Sequence, residues 1–193
     1  MSANVWFEEV NTGLIAELKR TVKIKNQQGS LVTLPDNAFT IRKPEKEFMF
    51  ETLPCVSIYN KDYKHDALRY VDNQPVKRSV NNGIATVEDI AVPFNLTYQI
   101  DFWSNFQSDM DVMTRTWLST HFRQFNLDVI DDGGNNRSCN VLMQGKIVKS
   151  DLIQGSDRIF HSILNYLIWV EIDDEIQYNV NTVNKINITA KGR

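Results

Sequence analysis

Three side chains of the kind that hold metals or move protons are spread along the chain: His65, His121 and His161. No HExxH pattern or paired-ligand spacing joins them, so a metal site is not expected. His121, near the end of a helix, is read as a polar surface residue or a C-terminal one, where a positive charge is favoured. Gly145-Lys146 lacks the preceding glycine and following Ser/Thr of a phosphate-binding loop. Asp128, Asp131 and Asp132 cluster, but without the alternating ligands and closing Glu of a calcium loop they read as a solvated turn. Asp173, Asp174 and Glu175 form an acid run of the kind found at solvated ends. Ser104 and Ser108 have no histidine at local motif spacing, and a partner brought in by the fold stays open. The expectation is therefore no catalytic residue, no cofactor and no metal.

The elements that would position such chemistry are clear. In VPFNLTYQIDFWS, Phe94, Leu96, Tyr98, Ile100 and Phe102 alternate with Asn95, Thr97, Gln99 and Asp101, the period of a half-buried strand. Met110, Met113, Trp117 and Leu118 then recur at helical spacing, with Asp109 and Asp111 in the first turn. The helix is expected from Ser108 or Asp109 to about Arg123. Alpha/beta enzymes place chemistry at such a strand–helix junction; this one carries none.

An earlier helix is expected over 4–20, from Trp6, Val10, Leu14 and Leu18 and the closing Lys19 and Arg20, with Gly13 as its weak point. Residues 22–35 can form a hairpin about Gln28-Gly29, and the charged DNAFTIRKPEKEFMF is expected to loop over the surface. LPCVSIYN, 53–60, reads as a buried strand, and KDYKHDALRYVDNQ as polar and turn-rich. Asn82-Gly83 marks a two-residue hairpin turn. That turn sets Val80 opposite Ala85, Arg78 opposite Val87 and Lys77 opposite Glu88, an opposite-charge pair. This hairpin, 76–89, is too polar for a core and is expected to project. Strands are expected at 125–131, 139–152 and 158–172. The last has Phe160, Leu164, Tyr166, Ile168, Val170 and Ile172 on one face, and Ile159, Ile163, Leu167 and Trp169 on much of the other. A strand apolar on both faces must be covered on both, by helices on one and by another sheet or chain on the other. The tail from 173 reads as an extended arm.

The chain has 193 residues and a net charge of -3. That suits one domain with an arm and argues against a dedicated nucleic-acid binder. Glu8 and Glu9 stand where a signal peptide would have its apolar core, and no apolar run reaches membrane-spanning length. Cys55 and Cys139 are too few for a disulfide scaffold and read as buried thiols in a reducing compartment. The projecting hairpin, the arm and the doubly apolar strand together favour contact with other chains over catalysis.

The phrases LPCVSIYN, VPFNLTYQIDFWS, DMDVMTRTWLSTHF and IFHSILNYLIWVEI resemble those of tail terminator proteins of long-tailed bacteriophages, contractile-tailed ones above all. The resemblance spans about 4–172. It implies a mixed α/β (α+β) fold with a mostly antiparallel sheet and two main helices on one face. In domain terms that is a terminator-like unit over 1–172, with 21–50 as an insertion, and an extended arm over 173–193. It also implies a non-enzymatic virion protein that works as a ring, six copies being expected. The ring stops growth of the tail tube and joins tube and last sheath ring to the neck at the head-proximal end of the tail, after assembly in the host cytoplasm. The partners so implied are copies of itself, tube, sheath and neck connector proteins. No membrane is involved, and DNA enters only as the passing genome. Expected interface residues are Lys77, Arg78, Asn82, Gly83, Glu88 and Asp89 of the hairpin, Trp169 of the long strand, and Ile176, Tyr178, Val180, Ile186 and Ile188 of the arm. The arm is expected to add a strand to another subunit. The alternatives are another neck, tail-completion or baseplate subunit and, from a different class, a small hydrolase with a spatially assembled site.

Overall fold

A computed structural model describes residues 6–41, 53–69, 77–81, 84–88, 92–131, 133–154, 157–172 and 177–181. The chain is a mixed α+β protein. Helix α1 is Phe7–Thr21 and α2 is Gln107–His121. The strands are β1 (Lys23–Lys25), β2 (Leu31–Thr33), β3 (Phe39–Ile41), β4 (Cys55–His65), β5 (Lys77–Asn81), β6 (Ile84–Glu88), β7 (Val92–Ser104), β8 (Gln124–Ile130), β9 (Asn136–Gln154), β10 (Asp157–Ile172) and β11 (Gln177–Asn181). Six of them form the main sheet in the order β3-β4-β7-β10-β9-β8, antiparallel except for the β3–β4 pair.

Helix α1 begins where the Trp6 amide donates to Glu9 Oε2 at 2.9 Å, closing the first turn. Its Val10, Leu14 and Leu18 are fully buried. Gly13 is more than a weak point in helix propensity: the helix packs so closely on β8 that a Cβ there would lie 2.8 Å from Val129 Cγ1 and 3.0 Å from the Asp128 carbonyl. Gly13→Ala gains about 1 kcal/mol of intrinsic helix propensity. It must also push backbone apart, an overpacking that costs about 1–3 kcal/mol. The expected net result is a lower urea midpoint, and a higher midpoint would show that the two elements can separate freely.

The alternating strand and its helix fold as read. Leu96, Tyr98, Ile100 and Phe102 of β7 are fully buried together with Leu164, Tyr166 and Ile168 of β10. Helix α2 lies on the same side of the sheet, since the Trp117 indole donates to the Tyr166 hydroxyl at 2.8 Å. Ser104 explains the empty junction. Its Oγ accepts the Phe106 amide at 3.1 Å, so the serine helps turn strand into helix.

Three expectations change. His121 is not a surface residue but is 3 % exposed. Its ring stacks on Trp117 at 4.0 Å and its Nε2 lies 2.7 Å from Glu17 Oε1, tying α2 to α1. The Arg20 guanidinium, more than His121, holds the Glu17 carboxyl below its usual range. The charged stretch after Pro35 does not simply loop over the surface. Asp36–Ala38 makes one 3-10 turn, and Phe39–Ile41 joins the sheet edge parallel to β4, burying Ala38 and Phe39. KDYKH is not turn-rich either, for β4 runs on through it to His65, with an irregularity between Asn60 and Asp62. Its side chains there are exposed, which is why the pattern resembles a loop. The hairpin about Gln28-Gly29 forms as expected, with Gly29 at φ +80.

Candidate functional site

The polar hairpin has the register its turn demands. Lys77 pairs Glu88, Arg78 pairs Val87 and Val80 pairs Ala85. Asn82, Gly83 and Asp89 lie outside the described residues. Strand β11 of the arm adds to the other side of β6 and pairs Tyr178 with Val87 and Val180 with Ala85. The result is a separate three-stranded sheet, β11-β6-β5, whose extensive contacts are among its own strands. The register lines up Tyr178, Val87 and Arg78 in one row and Val180, Ala85 and Val80 in the next. Strand addition by the arm thus occurs, but within this chain: the described partner of residues 177–181 is the chain's own hairpin. Ile176, Ile186 and Ile188 lie outside the described residues.

The main sheet turns a second face away from the helices, and the chemistry there is not legible in the sequence. Asp101 is fully buried on it. Its Oδ1 accepts from Gln99 Nε2 at 2.8 Å, and His161 Nε2 lies 2.8 Å away. Tyr59 donates to Gln99 Oε1 at 2.9 Å, and its hydroxyl pKa is raised by burial first and by the Asp101 charge second. The His161 ring stacks on Trp103 at 3.5 Å and 8°, and the Trp103 indole donates to Ser57 Oγ at 3.1 Å. Ser150 Oγ lies 3.4 Å from His161 Nδ1. One polar chain, Tyr59–Gln99–Asp101–His161–Ser150, therefore runs across β4, β7, β10 and β9. The register makes it possible, since Ser57 pairs Asp101, Tyr59 pairs Gln99 and Ser150 pairs His161.

The cluster brings a hydroxyl, an imidazole and a carboxylate into line. Ser104 and Ser108 have no part in it. Nucleophilic catalysis also needs donors for an oxyanion beside the hydroxyl. Ser150 sits inside the β9–β10 ladder rather than at a turn or helix N-terminus, and the imidazole is clamped against Trp103. What the geometry does best is cross-link four strands.

Trp169, expected at an interface, is half-buried on the same face. The Arg69 guanidinium stands 5.3 Å from its ring centroid while bonding Asp66 Oδ2 at 2.7 Å and the Phe94 carbonyl at 2.9 Å. The acid cluster resolves into different roles. Asp128 is exposed, whereas buried Asp131 accepts the Asn135 amide at 2.7 Å and Arg137 Nε at 3.0 Å. These bonds, the backbone one first, hold its carboxyl below the usual range. Asp131 thus organises the β8–β9 turn rather than sitting solvated in it. Asp132 and Asp173–Glu175 lie outside the described residues. Among the described residues no group of three His, Cys, Asp or Glu could hold a metal, and no helix is long and apolar enough to cross a membrane. Burial pushes the Cys55 thiol up to about 12 and Cys139 to about 11, so both are inert core residues.

No known family profile matches the chain, and no curated protein matches its sequence. Among solved structures the fold is similar to the sheath/tube terminator of an extracellular contractile injection system, PVC, in its extended state. The TM-score is 0.57 at 15% identity, over 98% of this chain and 65% of that one. The chain thus spans about two thirds of the length of that neighbour.

Proposed function

We propose that this chain is a terminator subunit of a contractile tail, a structural protein and not an enzyme. The observation that carries the reading is the fold likeness over 98% of the chain to a sheath/tube terminator, reached independently of the phage-terminator resemblance in the sequence. Bacteriophage tail and injection system differ in setting and share the terminator's task. Copies would close a ring, six being the number the resemblance implies, through a head-to-tail interface, because only a heterologous contact that closes makes a ring. The ring would cap the tube, stop its polymerisation, and meet the last sheath ring and the neck. The interface residues are assigned to the small sheet: Lys77, Arg78 and Glu88 of the hairpin, with Asn82, Gly83 and Asp89 about its turn, and Tyr178 and Val180 of β11. Ile176, Ile186 and Ile188 of the arm and Trp169 complete the set.

Two properties support this placement. The small sheet makes its extensive contacts among its own strands, and among the described residues no further strand pairs the outer edge of β5 or of β11, which leaves both edges to pair another chain. Lys77 and Arg78 against Glu88 give it both signs of charge for contacts that set register. Removing 77–88 is expected to leave a cooperatively unfolding subunit that no longer caps tubes in a polymerisation assay. Tubes of unregulated length with the deletion, and of fixed length with the intact chain, are the expected electron-microscopic result. Loss of the fold would instead assign the hairpin to the core, and normal capping would remove it from the interface.

A further inference from the structure

Strand β9 outruns its neighbour. Strand β8 pairs only with residues 136–142 of β9, whereas β10 pairs with β9 out to Gln154. Gly145, at φ +72, opens an irregularity opposite Leu164, and past it the β9–β10 hairpin continues beside α2. No strand among the described residues pairs with the outer side of this overhang. Between it and α2 lies an open groove of about 410 Å³. Half-buried Leu118 and Ile147 supply its apolar surface, with Thr114 beneath. Its rim carries Asp111, Lys149 and Arg115. Lys149 and Asp111 neutralise each other at 2.6 Å. Arg115 is exposed, and among the described residues it has no carboxylate partner, so their charges leave the rim with a net positive charge of one.

A strand edge and a cation that no described residue pairs, beside an apolar trough, fit an extended segment that brings carboxylates next to an aliphatic side chain. This chain has one, Asp173-Asp174-Glu175-Ile176, directly after β10. It cannot reach its own groove. The groove flanks Val148, which pairs with Ile163, while the acid run leaves β10 at Ile172. Those nine residues of strand (172 − 163) span about 30 Å. Four residues reach at most about 14 Å, and beyond them β11 is already held on β6. The acid run and the groove thus belong to opposite ends of one strand, the arrangement that a head-to-tail contact requires.

We propose that the α2–β9 groove receives the acid run Asp173–Glu175 of a second copy of this chain. The contact rests on the proposed head-to-tail association of copies, and it places Arg115 against the incoming carboxylates with Ile176 over Leu118 and Ile147.

The test uses the full-length protein and a labelled peptide of residues 171–176, which lacks β11 and so cannot report pairing with β6. Fluorescence anisotropy is expected to show saturable binding that Arg115→Glu weakens at least about fivefold. Raising the salt to about 0.5 M should weaken it comparably, since the contact is exposed. A peptide with lysine in place of Asp173, Asp174 and Glu175 should prefer the Arg115→Glu protein to the unaltered one. Equal binding to both proteins, or none up to about 1 mM, overturns the proposal, as does a salt-insensitive affinity. Light scattering on the same samples separates the two readings. Charge-dependent peptide binding without a ring would retain the groove and remove the ring. A ring that survives Arg115→Glu, with no peptide bound, would do the reverse.

Discussion

Trp117→Ala is expected to lower stability by about 3–5 kcal/mol, the cost of a large aromatic removed from a core that closes only partly around the gap. Trp117 is fully buried and is the largest such side chain among the described residues. It stands at the centre of an aromatic group: His121 stacks on it at 4.0 Å, Phe125 meets it edge-on at 5.7 Å and Tyr166 at 6.2 Å. Its indole also donates to the Tyr166 hydroxyl at 2.8 Å. Truncation therefore removes apolar area, opens a cavity and takes a donor from a buried oxygen, and the last alone costs about 1–3 kcal/mol. Trp117→Phe separates these effects. It keeps most of the ring contact and loses the donor, so it should cost about 1–2 kcal/mol. Urea unfolding followed by circular dichroism measures both. If alanine costs no more than phenylalanine, the core does not pack on the indole as described.

The core position of that tryptophan is legible in the sequence, and the reason is local periodicity. Met110, Met113 and Trp117 face one way because a helix repeats every 3.6 residues, and β7 alternates because a strand repeats every two. The 77–88 register is legible for a similar reason: Asn-Gly fixes a two-residue turn, and the turn fixes every pair beyond it. What does not show is long-range. The Glu17–His121 contact joins residues 104 apart in sequence, and the parallel β3–β4 pair crosses a connection with no signature of its own.

The arm shows both halves of this. The alternation of Ile176, Tyr178 and Val180 announces a strand. Alternation carries no record of which edge the strand will join, and in this chain the described partner of β11 is its own β6. The second face of β7 misleads in another way. Gln99 and Asp101 alternate with apolar residues as solvent-facing positions do, yet they are 6 % and 0 % exposed. The available hint lies elsewhere, in β10. A strand apolar on both faces requires a covered second face, and the polar positions of its neighbour β7 must then be covered as well.

Asp101→Ala should consequently cost about 2–6 kcal/mol, since two buried groups lose their hydrogen-bond partner at about 1–3 kcal/mol each. Oδ1 alone receives both described bonds, from Gln99 and His161, and Oδ2 meets no hydrogen-bond partner among the described residues. Deleting the carboxylate leaves the Gln99 amide and the His161 imidazole facing a small void, each fixed by its strand. His161 cannot turn away, because Trp103 covers its ring at 3.5 Å and Ser150 stands 3.4 Å from its other nitrogen. Asp101→Asn keeps an oxygen for Gln99 and removes the charge, so its cost should fall between alanine and the unaltered chain. The decisive comparison is His161→Phe, alone and with Asp101→Leu. Phenylalanine can retain the stack on Trp103 while leaving Asp101 without its imidazole, so the single change should be harmful. The double change replaces the pair by apolar groups, which is often neutral. A coupling of about 1–3 kcal/mol between the two positions is expected from urea midpoints. Additive losses would mean that the two residues stabilise the sheet separately, and the four-strand polar chain would then be a row of neighbours rather than a cross-link.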